Sequence, residues 1–148
     1  MEKSIFHIFL TDDDDDDRLF FSEVIDEICT ETSLKLFNDG QELMDYLLLP
    51  DSVLPNLLLL DLNMPKKNGM QCLCEIRSNP KLKDLFIAIY STSSSEKDID
   101  ETYANGANIY LNKPNSFGKL REMVEKVLQL DFKFHNANLC KKTFLFRN

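Results

Sequence analysis

Several apolar stretches of the chain end in side chains that carry a charge or a hydroxyl group. These side chains are the six consecutive aspartates 12–17, then Asp61, Ser91 and Lys113. Carboxylates are ligands for hard divalent cations, whereas an ammonium and a hydroxyl group can neutralise phosphoryl oxygens. These residue types suit phosphoryl chemistry if the fold brings them to one place.

The six aspartates need two explanations. Neighbouring carboxylates repel one another, and aspartates 14–17 are explained by a solvated helix start, where acids cap backbone N–H groups and favour the helix dipole. Asp12 and Asp13 lie at the carboxyl edge of the preceding strand, where a doubly wound sheet binds its ligands. A hard cation is their natural partner. This assignment depends on counting from the end of the strand, because the run holds more acids than a metal pair needs.

Asp61 is the strongest single candidate. In LLLLDLNMPKKNG it directly follows four leucines that read as a buried strand. An ionised carboxylate beside an apolar core is costly unless it is paired or bound to a metal, and a purely structural role is therefore disfavoured. Taken singly, Ser91 is typical of a turn and Lys113 of a solvated amine. Chance would rarely place all these groups at the ends of four strands.

The apolar pattern predicts one α/β domain with five βα repeats, because short apolar runs alternate with stretches of helical period. Apolar residues of helical spacing mark a first helix around residues 21–28 and a last helix around residues 120–128. Gly106 is expected to end the fourth helix in the left-handed conformation. Right-handed crossovers then give a doubly wound parallel sheet, with any site at the carboxyl ends of the strands. Strands are predicted over residues 5–10, 34–37, 57–60, 85–90 and 109–111, and the intervening helices over 41–48, 70–78 and 96–105.

Composition narrows the function classes. The chain has 148 residues, 43% of them hydrophobic, which suits one domain over residues 1–131. A net charge of −8 disfavours direct DNA binding, since nucleic acid is itself a polyanion. No apolar run approaches the roughly 20 residues of a membrane span, and with no secretory pattern we expect a cytoplasmic protein. Four cysteines are too few for a disulfide framework, and Cys72 and Cys74 lack further ligands for zinc.

The helical and strand patterns break after Asp131. Residues 132–148 mix aromatic and basic side chains and are too short for a separate output domain. We expect a tail that packs partly on its own domain. The alternative is a segment that binds a partner or forms a homodimer.

With these motifs in this order, residues 5–130 resemble the receiver domains of bacterial two-component response regulators. Ser91 lies 30 residues and Lys113 52 residues after Asp61, the spacing of chemotaxis-type receivers. The resemblance implies a flavodoxin-like fold in which Asp61 is phosphorylated and Ser91 and Lys113 contact the phosphoryl oxygens. It implies Mg²⁺ or Mn²⁺ as cofactor, with these ligands: Asp12 (through water), Asp13, Asp61 and the backbone carbonyl of Asn63.

The same resemblance implies partners and a switch. Asp61 would attack a phosphohistidine on a sensor histidine kinase or a histidine phosphotransfer protein and form an acyl phosphate. As Ser91 moves toward the phosphoryl group, Tyr110 would rotate inward and reshape the surface that binds a downstream protein. A plain core aromatic is the alternative for Tyr110. The family also holds the bond between Lys113 and Pro114 in the cis form, and positions such as Asn63 tune water access.

The sequence also shows a narrower resemblance within the family, and two other functions compete with phosphoryl acceptance. The segment 49–56 and the motif DLNMPKKNG look like the receivers associated with phytochrome-like sensor kinases. Haloacid dehalogenase-type phosphatases also use a nucleophilic aspartate, but their acidic metal pair follows the lysine, and Asn63 lacks the acid that they need as general catalyst. A degenerate receiver would bind a partner without phosphorylation, although all expected groups are present here. We therefore expect a signalling phosphoacceptor rather than an enzyme.

Overall fold

The centre of the molecule is a sheet of five parallel strands. The computed structural model describes residues 5–28, 31–130 and 144–145. The sheet order is β2-β1-β3-β4-β5, so the chain reverses its winding between β1 and β3. This order confirms the predicted doubly wound fold. The strands are β1 (Phe6–Thr11), β2 (Thr32–Phe37), β3 (Leu57–Leu60), β4 (Ile87–Ser91) and β5 (Ile109–Asn112).

Helices cover both faces of the sheet. Successive side chains of a strand point to opposite faces, so the four leucines of β3 need an apolar layer on each side. Leu58 and Leu60 pack in one cluster, and Leu57 and Leu59 pack in the other. In the described part of the chain, no helix is long and apolar enough to cross a membrane. The helices are α1 (Asp15–Ile28), α2 (Gly40–Leu47), α3 (Gly69–Ser78), α4 (Glu96–Ala104) and α5 (Phe117–Leu128).

Short polar side chains fix where the helices begin. An oxygen of each capping side chain accepts a hydrogen bond from the backbone N–H three residues later, which satisfies a donor that the helix leaves free. Gly106 follows α4 with φ of 94°, and this confirms its predicted left-handed conformation. The capping residues are Asp39 for α2, Asn68 for α3, Ser95 for α4 and Ser116 for α5.

Three strands continue one residue beyond their predicted ends. The predictions ended at the last apolar residue, but backbone pairing continues through the next polar residue in each strand. Thr11 pairs with Leu60, and Ser91 pairs with Asn112. Hydrophobic periodicity does not detect such residues, because their backbones are paired although their side chains are polar. The sheet therefore reaches closer to the polar residues that follow it.

Arg77 of α3 holds the segments of chain that lead into β4 and β5. Its Nε donates to the carbonyl of Gly106 at 2.9 Å, one Nη donates to the carbonyl of Leu85 at 2.7 Å, and the other donates to Oδ1 of Asn108 at 2.8 Å. Burial lowers the pKa of Arg77, and the charge of Asp84 partly opposes that effect. The guanidinium group thus ties α3 to acceptors in the segments that precede β4 and β5.

Two residues near the chain end pack on the outer strand. Phe144 is buried, and its ring centroid lies 5.3 Å from that of Tyr103 in α4 and 6.1 Å from that of Tyr110 in β5. Leu145 forms an isolated parallel bridge with Tyr110. The other residues of the 132–148 tail lie outside the described part, and its partner-binding and homodimer roles stay predictions.

Candidate functional site

The acids that follow β1 and β3 converge at the carboxyl edge of the sheet. These two strands are neighbours, so Asp12, Asp13 and Asp61 leave the sheet side by side. One carboxylate oxygen from each residue lies within 4.8 Å of the others. Asp12 and Asp61 are buried, whereas Asp13 is exposed. The structure thus brings together the three carboxylates that the sequence singled out.

Local hydrogen bonds fix the acidic loop. Oδ1 of Asp12 accepts from the backbone N–H of Asp14 at 3.0 Å. Oδ1 of Asp14 accepts from the N–H groups of Asp16 and Asp17 at 2.9 and 3.1 Å, the helix-capping role predicted for this part of the run. Arg18 donates to the backbone carbonyl of Asp12 at 2.6 Å. The loop is therefore held on both sides of the buried carboxylate.

Asp61 is positioned by backbone contacts. Its N–H donates to the carbonyl of Thr11 at 3.0 Å, and its Oδ1 lies 3.4 Å from the backbone nitrogen of Asn63. The start of α3 packs directly on this backbone, since a Cβ atom at Gly69 would lie 2.2 Å from the carbonyl oxygen of Asp61. Only glycine fits there without displacing the strand end.

Lys113 places one ammonium group among three carboxylates. Nζ lies 2.7 Å from Oδ2 of Asp12, 2.8 Å from Oδ2 of Asp17 and 3.3 Å from Oδ2 of Asp61. The approach to Asp12 is an ion pair outside hydrogen-bond geometry, so within the described residues this buried oxygen has no hydrogen-bond partner. The ring of Tyr90 lies 5.4 Å from Nζ and adds a cation–π contact.

Burial and neighbouring charges act in opposite directions on the ionisable groups. The pKa of Asp61 is raised to about 6 because burial and the charge of Asp12, which raise it, outweigh the charge of Lys113, which lowers it; burial is the largest of these effects. Burial lowers the pKa of Lys113, but its contacts with Asp12 and Asp17 outweigh this effect, and the pKa lies above its usual value. The lysine is therefore charged, and Asp61 is ionised above about pH 6.

The remaining predicted site residues lie around this cluster. Ser91 is buried at the end of β4, and its carbonyl accepts from the N–H of Lys113 at 2.9 Å. Tyr110 is fully buried, and its hydroxyl donates to the carbonyl of Ser93 at 2.8 Å. The ring thus already occupies the inner position. The described residues contain no cis peptide bond, so the prediction of a cis bond between Lys113 and Pro114 is wrong for this structure.

The oxygen groups suit a hard divalent cation. Three carboxylates at this separation repel one another, and one of their buried oxygens lacks a hydrogen-bond donor. Mg²⁺ and Mn²⁺ take oxygen ligands and would supply the missing positive charge. The residues present therefore fit the cofactor that the sequence predicted.

Sequence reasoning missed the contact between Asp17 and Lys113. Asp17 was assigned to the solvated start of α1, yet its carboxylate lies 2.8 Å from Nζ of Lys113. No local sequence pattern marks this contact, because Asp17 and Lys113 lie 96 residues apart in the chain.

Comparison with known proteins agrees with this geometry. Residues 8–125 match the family model of the response regulator receiver domain. The chain belongs to this family. Receiver domains are the phosphoacceptors of two-component signal transduction. This receiver is 35% identical over 124 residues to a protein of Synechocystis sp., the response regulator Rcp1. The aligned region covers 81% of this chain and 84% of that protein.

Solved structures extend the similarity to phytochrome-associated regulators. The Mn²⁺-bound form of Rcp1 has a TM-score of 0.75 and 34% identity, over 82% of the receiver and 91% of that chain. The phosphorylated cyanobacterial phytochrome response regulator RcpA has a TM-score of 0.79 and 30% identity, over 93% of the receiver and 98% of that chain. The narrower resemblance predicted from the sequence is thus confirmed, and the phosphatase alternative gains no support.

Proposed function

We propose that the receiver accepts a phosphoryl group on Asp61 from a phosphohistidine of a sensor histidine kinase or histidine phosphotransfer protein. The observation that carries this proposal is the convergence of Asp12, Asp13 and Asp61 beside the ammonium group of Lys113. Two similar proteins supply further support, since their structures are described as Mn²⁺-bound and phosphorylated.

The nucleophile in the proposed reaction is a carboxylate oxygen of Asp61. It attacks the phosphorus atom as the bond between phosphorus and the imidazole nitrogen breaks, and the imidazole leaves with the electron pair and then takes up a proton. The product is an acyl phosphate on Asp61. Before the reaction, the pKa of about 6 leaves the Asp61 carboxyl group ionised near neutral pH, as a nucleophile must be.

Charge neutralisation is the main task of the surrounding residues. Lys113 and the hydroxyl group of Ser91 would contact the phosphoryl oxygens, which carry the charge in the transition state. A divalent cation held by the acidic residues would supply further positive charge to offset the charge of the transition state. Its ligands would be Asp12 (through water), Asp13, Asp61 and the backbone carbonyl of Asn63.

The loop after β4 connects the site to a surface that could bind a downstream protein. The hydroxyl group of Tyr110 and the side-chain amide of Asn112 both donate to the carbonyl of Ser93, at 2.8 and 2.9 Å. A movement of Ser91 toward the phosphoryl group would shift this shared acceptor. Tyr110 and the α4–β5–α5 surface would then change together.

Incubation with acetyl phosphate and Mg²⁺ tests the proposal. We expect intact mass spectrometry to detect one added phosphoryl group on the wild-type chain, and none without Mg²⁺ or in Asp61→Asn. Asp51→Asn removes an equal charge from an exposed loop residue and should be phosphorylated normally. An unmodified wild-type chain would contradict the proposal and favour the degenerate receiver. Sustained turnover of a phosphate ester would instead favour the phosphatase.

A further inference from the structure

The ammonium group of Lys113 has more carboxylate partners than its proposed task requires. It carries three protons, and three carboxylates lie within 3.3 Å of it. The distances to Asp12 and Asp17 are 2.7 and 2.8 Å, both shorter than the 3.3 Å to Asp61. The lysine is therefore held most closely by residues other than the proposed phosphoacceptor.

A phosphoryl group on Asp61 would compete with these carboxylates for contact with the ammonium group. Asp12 is completely buried, so bulk solvent does not reach its carboxylate to replace the lysine. The side chain of Asp17 is 38% exposed, and water can solvate its carboxylate once Lys113 leaves. Asp17 is thus the partner that Lys113 can give up at the lowest cost in free energy.

We propose that Asp17 is a positioning residue that holds the Lys113 ammonium group in the unmodified chain and competes with the phosphoryl group for it. This inference rests on the proposed function of Asp61. Charge repulsion also weakens phosphoryl binding, because the negative charge of Asp17 repels a phosphoryl group that contacts the same ammonium group. Asp17 therefore lowers the affinity of the site for a phosphoryl group.

Beryllofluoride, a mimic of a phosphoryl group on a carboxylate, is a suitable probe in the presence of Mg²⁺. Fluorine NMR on the full chain measures its dissociation constant. We expect Asp17→Asn to tighten binding about tenfold, the equivalent of one charge-assisted contact discounted for exposure. Asp17→Glu should restore the wild-type constant, since its carboxylate can still reach Lys113.

Asp16→Asn is the matched control. Asp16 is exposed and neighbours Asp17 in the first turn of α1, so its substitution removes the same charge from the same helix end. We expect its dissociation constant to stay within about twofold of wild type. Equal constants for Asp16→Asn and Asp17→Asn, or weaker binding in Asp17→Asn alone, would overturn the inference. Failure of the wild-type chain to bind beryllofluoride would overturn the proposed function as well.

A second measurement needs no substitution. Carbon NMR of the isotope-labelled wild-type chain follows the side-chain carboxylate of Asp17 while beryllofluoride is added with Mg²⁺. We expect this resonance to move toward that of a solvated carboxylate as Lys113 leaves Asp17. A resonance that stays at its starting position while the probe binds would contradict competition for the lysine.

Discussion

Removal of the charge on Asp61 should stabilise the metal-free receiver. Asp61 is buried near Asp12, and its pKa is raised from 3.8 to about 6. A raised pKa means that the folded chain binds the proton more tightly than the unfolded chain does. Ionisation of Asp61 therefore lowers the free energy of unfolding as pH rises from about 4 to about 6, and the loss is complete above that range.

The size of the effect follows from the pKa. At about 1.4 kcal/mol for each pH unit, the rise to about 6 corresponds to about 3 kcal/mol of unfolding free energy. The buried amide of Asp61→Asn has a desolvation cost of its own, so we expect a net gain of about 2 kcal/mol near neutral pH. For a chain of this length, that gain raises the melting temperature by about 4–8 °C.

Urea unfolding in the presence of a chelator measures this gain. The advantage of Asp61→Asn over wild type should be about 2 kcal/mol near pH 7.5. Below about pH 4, where Asp61 is protonated in both the folded and the unfolded chain, the advantage should be lost, and only the desolvation cost of the amide should remain. Asp51→Asn, an exposed control, should change the free energy of unfolding by less than about 0.5 kcal/mol. If Asp61→Asn is equally stable or less stable than wild type near pH 7.5, the unfavourable ionisation inferred for Asp61 is refuted.

Three further outcomes are expected, for the cation site, for Tyr110 and for the two cysteines of α3. Mg²⁺ at about 100 times its dissociation constant should add about 2.7 kcal/mol to the wild-type free energy of unfolding, measured by thermal unfolding. Asp13→Ala should gain less, and the same gain in Asp13→Ala as in wild type would count against the cation site. Tyr110→Phe should cost about 1 kcal/mol in urea unfolding, because it removes the hydrogen bond to Ser93, whereas an unchanged midpoint would show that this bond is unimportant. Burial raises the pKa of Cys72 to about 12 while Cys74 is exposed, so peptide mapping after thiol alkylation near pH 8 should find Cys74 modified first, and equal rates would contradict the packing of α3.

Much of the fold could be predicted because buried parallel strands have a simple sequence pattern. The four leucines of β3 match the observed strand, and Asp61 follows it as predicted. The convergence of Asp12 and Asp61 followed from topology alone, since neighbouring parallel strands end at the same edge. Residue spacing and chain order were therefore sufficient to predict which carboxylates meet.

Side-chain contacts between distant elements were harder to predict. The contacts of Arg77 with loops near β4 and β5 depend on acceptors about 30 residues away, and no local pattern marks them. Asp17 has the sequence features of a solvated helix start, but the position of Lys113 brings it into the site. A charge run thus contained both capping and site residues, and only the three-dimensional arrangement separates them.

The position of the phosphoryl group tests most directly whether Asp61 is the phosphoacceptor. The receiver is treated with acetyl phosphate and Mg²⁺, the acyl phosphate is reduced with a hydride reagent to homoserine, and peptides are sequenced by mass spectrometry. We expect homoserine at position 61 and aspartate at positions 12–17. Homoserine at any of positions 12–17 would contradict the assignment of Asp61 as the phosphoacceptor. Phosphorylated protein that yields no homoserine at position 61 would contradict it too.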